Sequence, residues 1–97
     1  MMRIESGKYS ASMSHPHWGL SERGKASFRE RVTFSQPFEE TPRLIIAISG
    51  IDVRNDYPTS VTADAERVTA DGFGIRISTG FGGVKEVTIN WVAIGAA

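Results

Sequence analysis

Ninety-seven residues allow a single domain, 1–97, with a core but no roomy interior. A hydrophobic share of 40% beside 23% charged residues describes a folded globular chain, neither a disordered one nor a membrane span. Eleven Lys and Arg balance eleven Asp and Glu, so the basic excess of a nucleic-acid or anionic-membrane binder is missing, and the absence of cysteine excludes a disulfide framework, a zinc–thiolate centre and a Cys nucleophile.

Ile and Val together number 16 against two Leu. Branching at Cβ stiffens the side chain, weakens helices and suits a pleated surface, so the chain is predicted to be all-β. Residues 1–10 have no apolar run behind a basic start, so no signal peptide is visible. Cytoplasmic, leaderless-secreted and larger extracellular or phage settings all stay open. The longest apolar stretch, 44–48, is too short to cross a bilayer, and no membrane insertion is expected.

Six segments have strand character, separated by turn residues. The first, around 4–11, is short and poorly patterned. Residues 12–25, with Pro16, Gly19 and Gly24, read as a long loop. Residues 28–35 alternate, with Phe28, Val32 and Phe34 on one face and Arg29, Arg31 and Thr33 on the other; Glu30 interrupts the apolar face, which places it at a strand edge. A turn bracketed by Pro37 and Pro42 leads to 43–49, which is apolar on both faces. So small a protein covers both faces of a strand only with a second subunit.

Residues 51–58, with Asp52, Asn55, Asp56 and Tyr57, read as a polar loop. In 59–69, Val61, Ala63 and Ala65 face inward, and the slip of the apolar phase to Val68 predicts a bulge at Glu66-Arg67. Asp71-Gly72 signals a tight hairpin into a strand with Phe73, Ile75 and Ile77 inward. Residues 79–83 form a glycine-rich loop. The last strand, 85–95, buries Val87, Ile89, Trp91 and Ala93 and carries Val92 and Ile94 on its other face, a second sign of a subunit contact.

Little in this order suggests catalysis. His15-Pro16-His17 could turn two imidazoles toward one metal, but a third ligand at a definable spacing is missing, and a solvated loop pair is the preferred reading. Asp52, Asn55 and Asp56 lack calcium-loop spacing and suit a turn. The glycines at 72–74 and 80–83 precede strands rather than a helix, so they do not form a phosphate cradle. Glu39-Glu40 read as a solvated pair in a turn, and no Ser is paired by motif with a His and a carboxylate. The chain is read as no enzyme, with no cofactor and no metal. Phe81 stands apart: flanking glycines cannot cover its ring, which is either tucked into the sandwich end or exposed for a ligand.

Val32-Thr33-Phe34, Pro37-Phe38, Pro42, Ile51-Asp52-Val53, Val68-Thr69-Ala70-Asp71-Gly72-Phe73 and Ile89-Asn90-Trp91-Val92-Ala93-Ile94-Gly95, in that order and near the expected gaps, resemble the H-type lectin domain. Ser6-Gly7-Lys8 and Trp18 fit the same pattern, so the likeness covers nearly the whole chain. Snail and slime-mould members of that family act in innate defence or cell adhesion, and bacterial and phage proteins also carry the domain. The resemblance implies a six-stranded antiparallel β-sandwich assembled as a homotrimer or a pair of trimers (a hexamer). It also implies clefts between protomers that bind galactose or N-acetylgalactosamine.

The resemblance further implies where a sugar would sit. Ser60 stands where sugar-binding animal members carry an Arg, Gly80-Phe81 where they carry Trp-His, and Lys85 where they carry a Tyr. Arg23-Gly24-Lys25 is the stretch nearest to their loop Asp. The expected roles are stacking for Phe81 beside Gly80, hydroxyl hydrogen bonds for Ser60 and Lys85, and a lid for the Arg23–Lys25 loop. With these positions replaced, the fold carries over and the N-acetylgalactosamine specificity does not. Two readings result: a carbohydrate-binding module with glycans and its own copies as partners, or a structural trimerisation or attachment module, of a tail fibre or adhesin, that has lost the sugar site.

Overall fold

A computed structural model describes residues 1–56 and 58–97. Its six strands are β1 (Met2–Ser12), β2 (Ala26–Thr33), β3 (Arg43–Val53), β4 (Thr62–Glu66), β5 (Gly72–Thr79) and β6 (Val84–Ala96). They form two three-stranded antiparallel sheets, β1–β6–β3 and β2–β5–β4, packed face to face. No helix occurs among the described residues. The all-β sandwich expected from the sequence is the observed fold.

Side chains alternate across a strand, so one set of every second residue builds the core. On β5, Phe73, Ile75 and Ile77 are fully buried; on β6, Val87, Ile89 and Ala93 are too, with Trp91 beside them. Phe34, Phe73 and Trp91 form an aromatic centre, with the Phe73 and Trp91 rings 5.2 Å apart in an edge-on arrangement. Each such ring removes enough apolar area to contribute about 4–6 kcal/mol before entropy is counted. Gly7 of β1 makes room for this centre: a Cβ there would lie 2.6 Å from the Trp91 indole.

Several boundaries differ from expectation. The first strand runs the full length of β6, from Met2 opposite Ala96 to Ser12 opposite Glu86. β3 does not stop at residue 49; it shifts register between Ile48 and Gly50 and continues to Val53, so the first part of the expected 51–58 loop is strand. Tyr57, placed in that loop by the sequence, lies outside the described residues. No bulge forms at Glu66-Arg67. β4 ends at Glu66, and Arg67 reverses the chain with φ 48°, which accounts for the change of phase to Val68.

Glu30 lies in mid-strand opposite Ile75, on the inward side of β2, which is an edge strand. Its Oε2 is 3.4 Å from His15 Nε2, and the His15 ring sits edge-on to Phe28 at 4.9 Å. His15 is thus half-buried and engaged, where a solvated loop pair was expected. The 13–25 connection is likewise more than a loop. Leu20 is fully buried, and Trp18 is buried with its indole N–H donating to the Val84 carbonyl at 2.9 Å. Both seal one end of the sandwich.

Candidate functional site

The connections 13–25, 54–61 and 80–83 all emerge at the end of the sandwich where Ser12 faces Glu86 and Ala26 faces Thr79. The sequence of 80–83 leaves little choice of path. Gly82 and Gly83 have φ 81° and 76°, the left-handed region that side chains resist, and a Cβ on Gly82 would fall 1.8 Å from the Glu22 carbonyl oxygen. This close approach forms a bridge between Arg23 and Gly82.

A buried threonine holds the turn from below. Thr79 Oγ1 accepts the Gly82 N–H at 3.0 Å and the Phe81 N–H at 3.4 Å, and it is 3.2 Å from Thr59 Oγ1. Thr59 in turn donates to the Gly82 carbonyl. Ser60 Oγ accepts the Gly80 N–H at 3.1 Å, tying 54–61 to the same turn. On the other side, the Gly24 N–H donates to the Phe81 carbonyl at 2.9 Å.

These bonds fix the backbone of Phe81 and leave its ring 57% exposed. Of the two placements left open for that ring, exposure is the one observed. It lines an open cavity of about 310 Å³ with Arg23, Gly24, Pro58 and Gly80. An aromatic face beside a guanidinium and exposed backbone is the chemistry that takes an amphiphilic ring, apolar on one side and polar at its edge.

The six expected site residues therefore divide. Phe81, Gly80 and Arg23 line one cavity, and Ser60 supports its floor. Lys85 lines a separate, more polar depression with Val53, Arg54, Asn55 and Asp56. Lys25 lines a third, on the outer side of β2 and β5. The expected Arg23–Lys25 lid overlaps a stretch, 20–24, that is bonded to the turn. Beyond the Gly24 bond, the Gly83 N–H reaches the Glu22 carbonyl and the Val84 N–H the Leu20 carbonyl, so this stretch is a fixed wall. Sequence reasoning missed Pro58, Thr59 and Thr79. Proline beside a polar stretch reads as an ordinary turn, and a threonine at a strand end reads as an ordinary strand residue.

Asp56 lines the Lys85 depression. Two hydrogen bonds from Arg54 hold its carboxyl below the usual carboxylate range, and the nearby Arg23 charge adds to the effect. Arg54 is itself pinned by its N–H to the Gly83 carbonyl at 2.8 Å. Among the described residues no three His, Asp or Glu side chains gather where they could hold a metal ion.

Comparison with known proteins fits this geometry. The chain is 32% identical over 74 residues to a Fuscovulum blasticum protein described as "ATP synthase subunits region ORF 7", spanning 75% of this chain and 64% of that one. Two solved structures of discoidin II from Dictyostelium discoideum, one recombinant and one wild-type, share the fold. Their TM-scores are 0.78 and 0.79 at 22% and 21% identity. The alignments take in 97% and 100% of this chain but only 37% and 38% of the discoidin chains. The H-type lectin domain model matches residues 29–94, from β2 into β6 and well over half of the sequence, and the chain thus belongs to the H-type lectin domain family.

Proposed function

We propose that this chain is a non-catalytic carbohydrate-binding module that stacks a galactose-type ring on Phe81. The observation that carries this reading is an aromatic side chain held exposed by a hydrogen-bonded turn, at the rim of a cavity of about 310 Å³. A solvent-exposed phenyl ring on rigid backbone loses little entropy when a ligand covers it. Arg23 donates to sugar hydroxyls at the rim, and the Ser60 hydroxyl, already accepting from Gly80, keeps its own proton to donate.

The module acts as a homotrimer on this reading. The outward face of β1–β6–β3 carries Met2, Ile4, Ile45, Val92 and Ile94, and the first three are 71%, 66% and 62% exposed. A contiguous apolar surface on a sheet is the kind that a second copy covers. The edge strand β3 also leaves Ile48 and Ile51 partly bare, close to the site end.

A glycan array followed by calorimetry tests the sugar reading. Wild-type protein is expected to bind galactose-type glycans, and Phe81→Ala to bind at least tenfold more weakly with its melting temperature within about two degrees of wild type, because an exposed loop ring adds little to the core. Equal binding by Phe81→Ala would move the ligand elsewhere. A wild type that binds no glycan would favour the attachment-module reading, which draws on the same apolar face and on the replaced family positions at Ser60 and Lys85.

A further inference from the structure

The outward face of β2–β5–β4 is charged, and its charges do not cancel. Arg29, Arg31 and Arg76 share it with Asp64 and Glu66, and Lys25 lies at its end, although the whole chain has net charge +0. In register, Arg29 lies directly opposite Arg76, an arrangement of like charges that weakens a sheet unless something offsets it. Arg29 is offset by Glu66, its Nε donating to Oε1 at 3.1 Å. Among the described residues Arg76 has no such partner. Asp64 is its neighbour across β4, yet the two form no ion pair, and Arg76 Nε is buried without a hydrogen-bond acceptor. A buried donor left unpaired bears the whole of its desolvation cost, so nothing on this face offsets the Arg76 charge.

Beside Arg76 lies a cavity of about 360 Å³, lined also by Lys25, Ala26, Ser27, Ser78 and Thr79. Its chemistry is one-sided. Two cations and the Ser27 and Ser78 hydroxyls, 3.3 Å apart, line it, and no carboxylate does. Donors of this kind, with two positive charges beside them, match an oxyanion. The cavity adjoins the one at Phe81: Gly24 and Gly80 line that one, and their chain neighbours Lys25 and Thr79 line this one. A single residue, about 3.8 Å of chain, separates the two on each segment.

We propose that the Lys25–Arg76 cavity is an oxyanion subsite continuing the Phe81 cavity, so that the preferred ligand is an acidic glycan. One ring stacks on Phe81, and a sulfate or carboxylate on the same glycan docks between Lys25 and Arg76, with the serine proton left over from the Ser27–Ser78 hydrogen bond donating to it. The identity of the group that carries the anion rests on the carbohydrate-binding reading; the anion subsite itself does not.

Two measurements on the intact protein separate these claims. In the first, sodium sulfate replaces sodium chloride at constant ionic strength while backbone amide shifts are followed by NMR. Saturable shifts at Ser27, Arg76 and Ser78 are expected, and they should vanish in Arg76→Gln. In the second, calorimetry compares methyl galactoside with its 3-sulfated counterpart. The sulfated sugar should bind about tenfold more tightly, and Arg76→Gln should remove that advantage while leaving the neutral sugar unaffected. Lys25→Gln, in an exposed loop position that cannot upset folding, should cut the advantage severalfold. Phe81→Ala should weaken both sugars. Sulfate shifts without any sugar binding would uphold the subsite and overturn the carbohydrate reading. No saturable sulfate shift, equal affinity for the two sugars, or an advantage that survives both Arg76→Gln and Lys25→Gln would overturn the subsite.

Discussion

The two sheets are alike inside and opposite outside. Both are three-stranded and antiparallel, and both turn Ile, Val and aromatic side chains to the shared core. Outward, β1–β6–β3 presents Met2, Ile4, Ile45, Val92 and Ile94, with Arg43 and Lys8 at their border, whereas β2–β5–β4 presents Arg29, Arg31, Asp64, Glu66 and Arg76. On β2–β5–β4 period-2 alternation dictates the inner set, because a one-residue slip would bring Arg29, Arg31, Asp64 and Arg76 into the core. Nothing in folding dictates the outer sets to differ. The contrast therefore reports what each face meets: an apolar surface that copies of the chain cover on the proposed trimer, and a charged one that stays in water where a ligand reaches it.

The largest effect is expected from a charge on the apolar face. Ile45, 62% exposed and opposite Val92, has room for a carboxylate in an isolated protomer but none in a packed interface. Ile45→Glu should convert the proposed trimer to a species of one chain mass, 10.6 kDa, in sedimentation at micromolar concentration. Arg76→Gln, on the other outer face, should leave the mass unchanged. A wild type that already sediments as a monomer, or an Ile45→Glu variant that remains a trimer, would remove the distinction between the faces as association surfaces.

How far each region could be read in the sequence follows the same division. β5 and β6 were legible because their inward residues are uniformly apolar and fully or nearly fully buried. β1 was not, because its inward positions are Arg3, Glu5, Gly7, Tyr9 and Ala11. Each polar one has a local reason: Arg3 lies over the Phe38 ring at 3.9 Å, and Glu5 accepts the Ser35 N–H at 2.9 Å. Such pairings join residues about thirty apart and leave no periodic trace. The end of β3 was hidden by its register shift at Ser49, which changes the phase of the pattern. At the site, the glycines around Phe81 announced an uncovered ring, but hydroxyl bonds among Thr59, Thr79 and Gly82 depend on two chain segments meeting and could not be read from either. Lys85 and Lys25 came from alignment with a family pattern, and neighbouring strands aim them away from the Phe81 cavity.

A smaller effect is expected where an interior constraint reaches the surface, at the turn that holds Phe81. Gly82 needs both its positive φ and its missing Cβ, since the obstacle is the Glu22 backbone and not a side chain that could swing away. Gly82→Ala should cost about 2 kcal/mol or more and lower the melting temperature by roughly ten degrees for a domain this size. Gly80→Ala makes the contrast. Its Cβ would meet only Ser60 Oγ at 3.1 Å, and it should cost less than about 1 kcal/mol. Equal costs at the two glycines would mean that the loop 20–24 yields and is no fixed wall.

The smallest effect separates a polar group between the sheets from the polar groups outside them. Tyr9 faces inward on β1, and its phenol is pushed up to about 12, first by burial and then by the negative charge of Glu30. The sign follows from proton counting. Between pH 10 and 12 the unfolded chain has released the phenolic proton while the folded chain still holds it, so stability falls as pH rises through that interval. The contribution is complete below pH 10 and lost above 12. Melting temperatures measured from pH 8 to 11.5 should decline for wild type, and Tyr9→Phe should decline less steeply, because phenylalanine has no proton to lose. The difference should be modest, since Tyr9 is only half-buried and water screens part of the Glu30 charge. Two superimposable curves would place the Tyr9 hydroxyl in contact with bulk water, and the gap between β1 and β2 would then belong to the exterior of the sandwich.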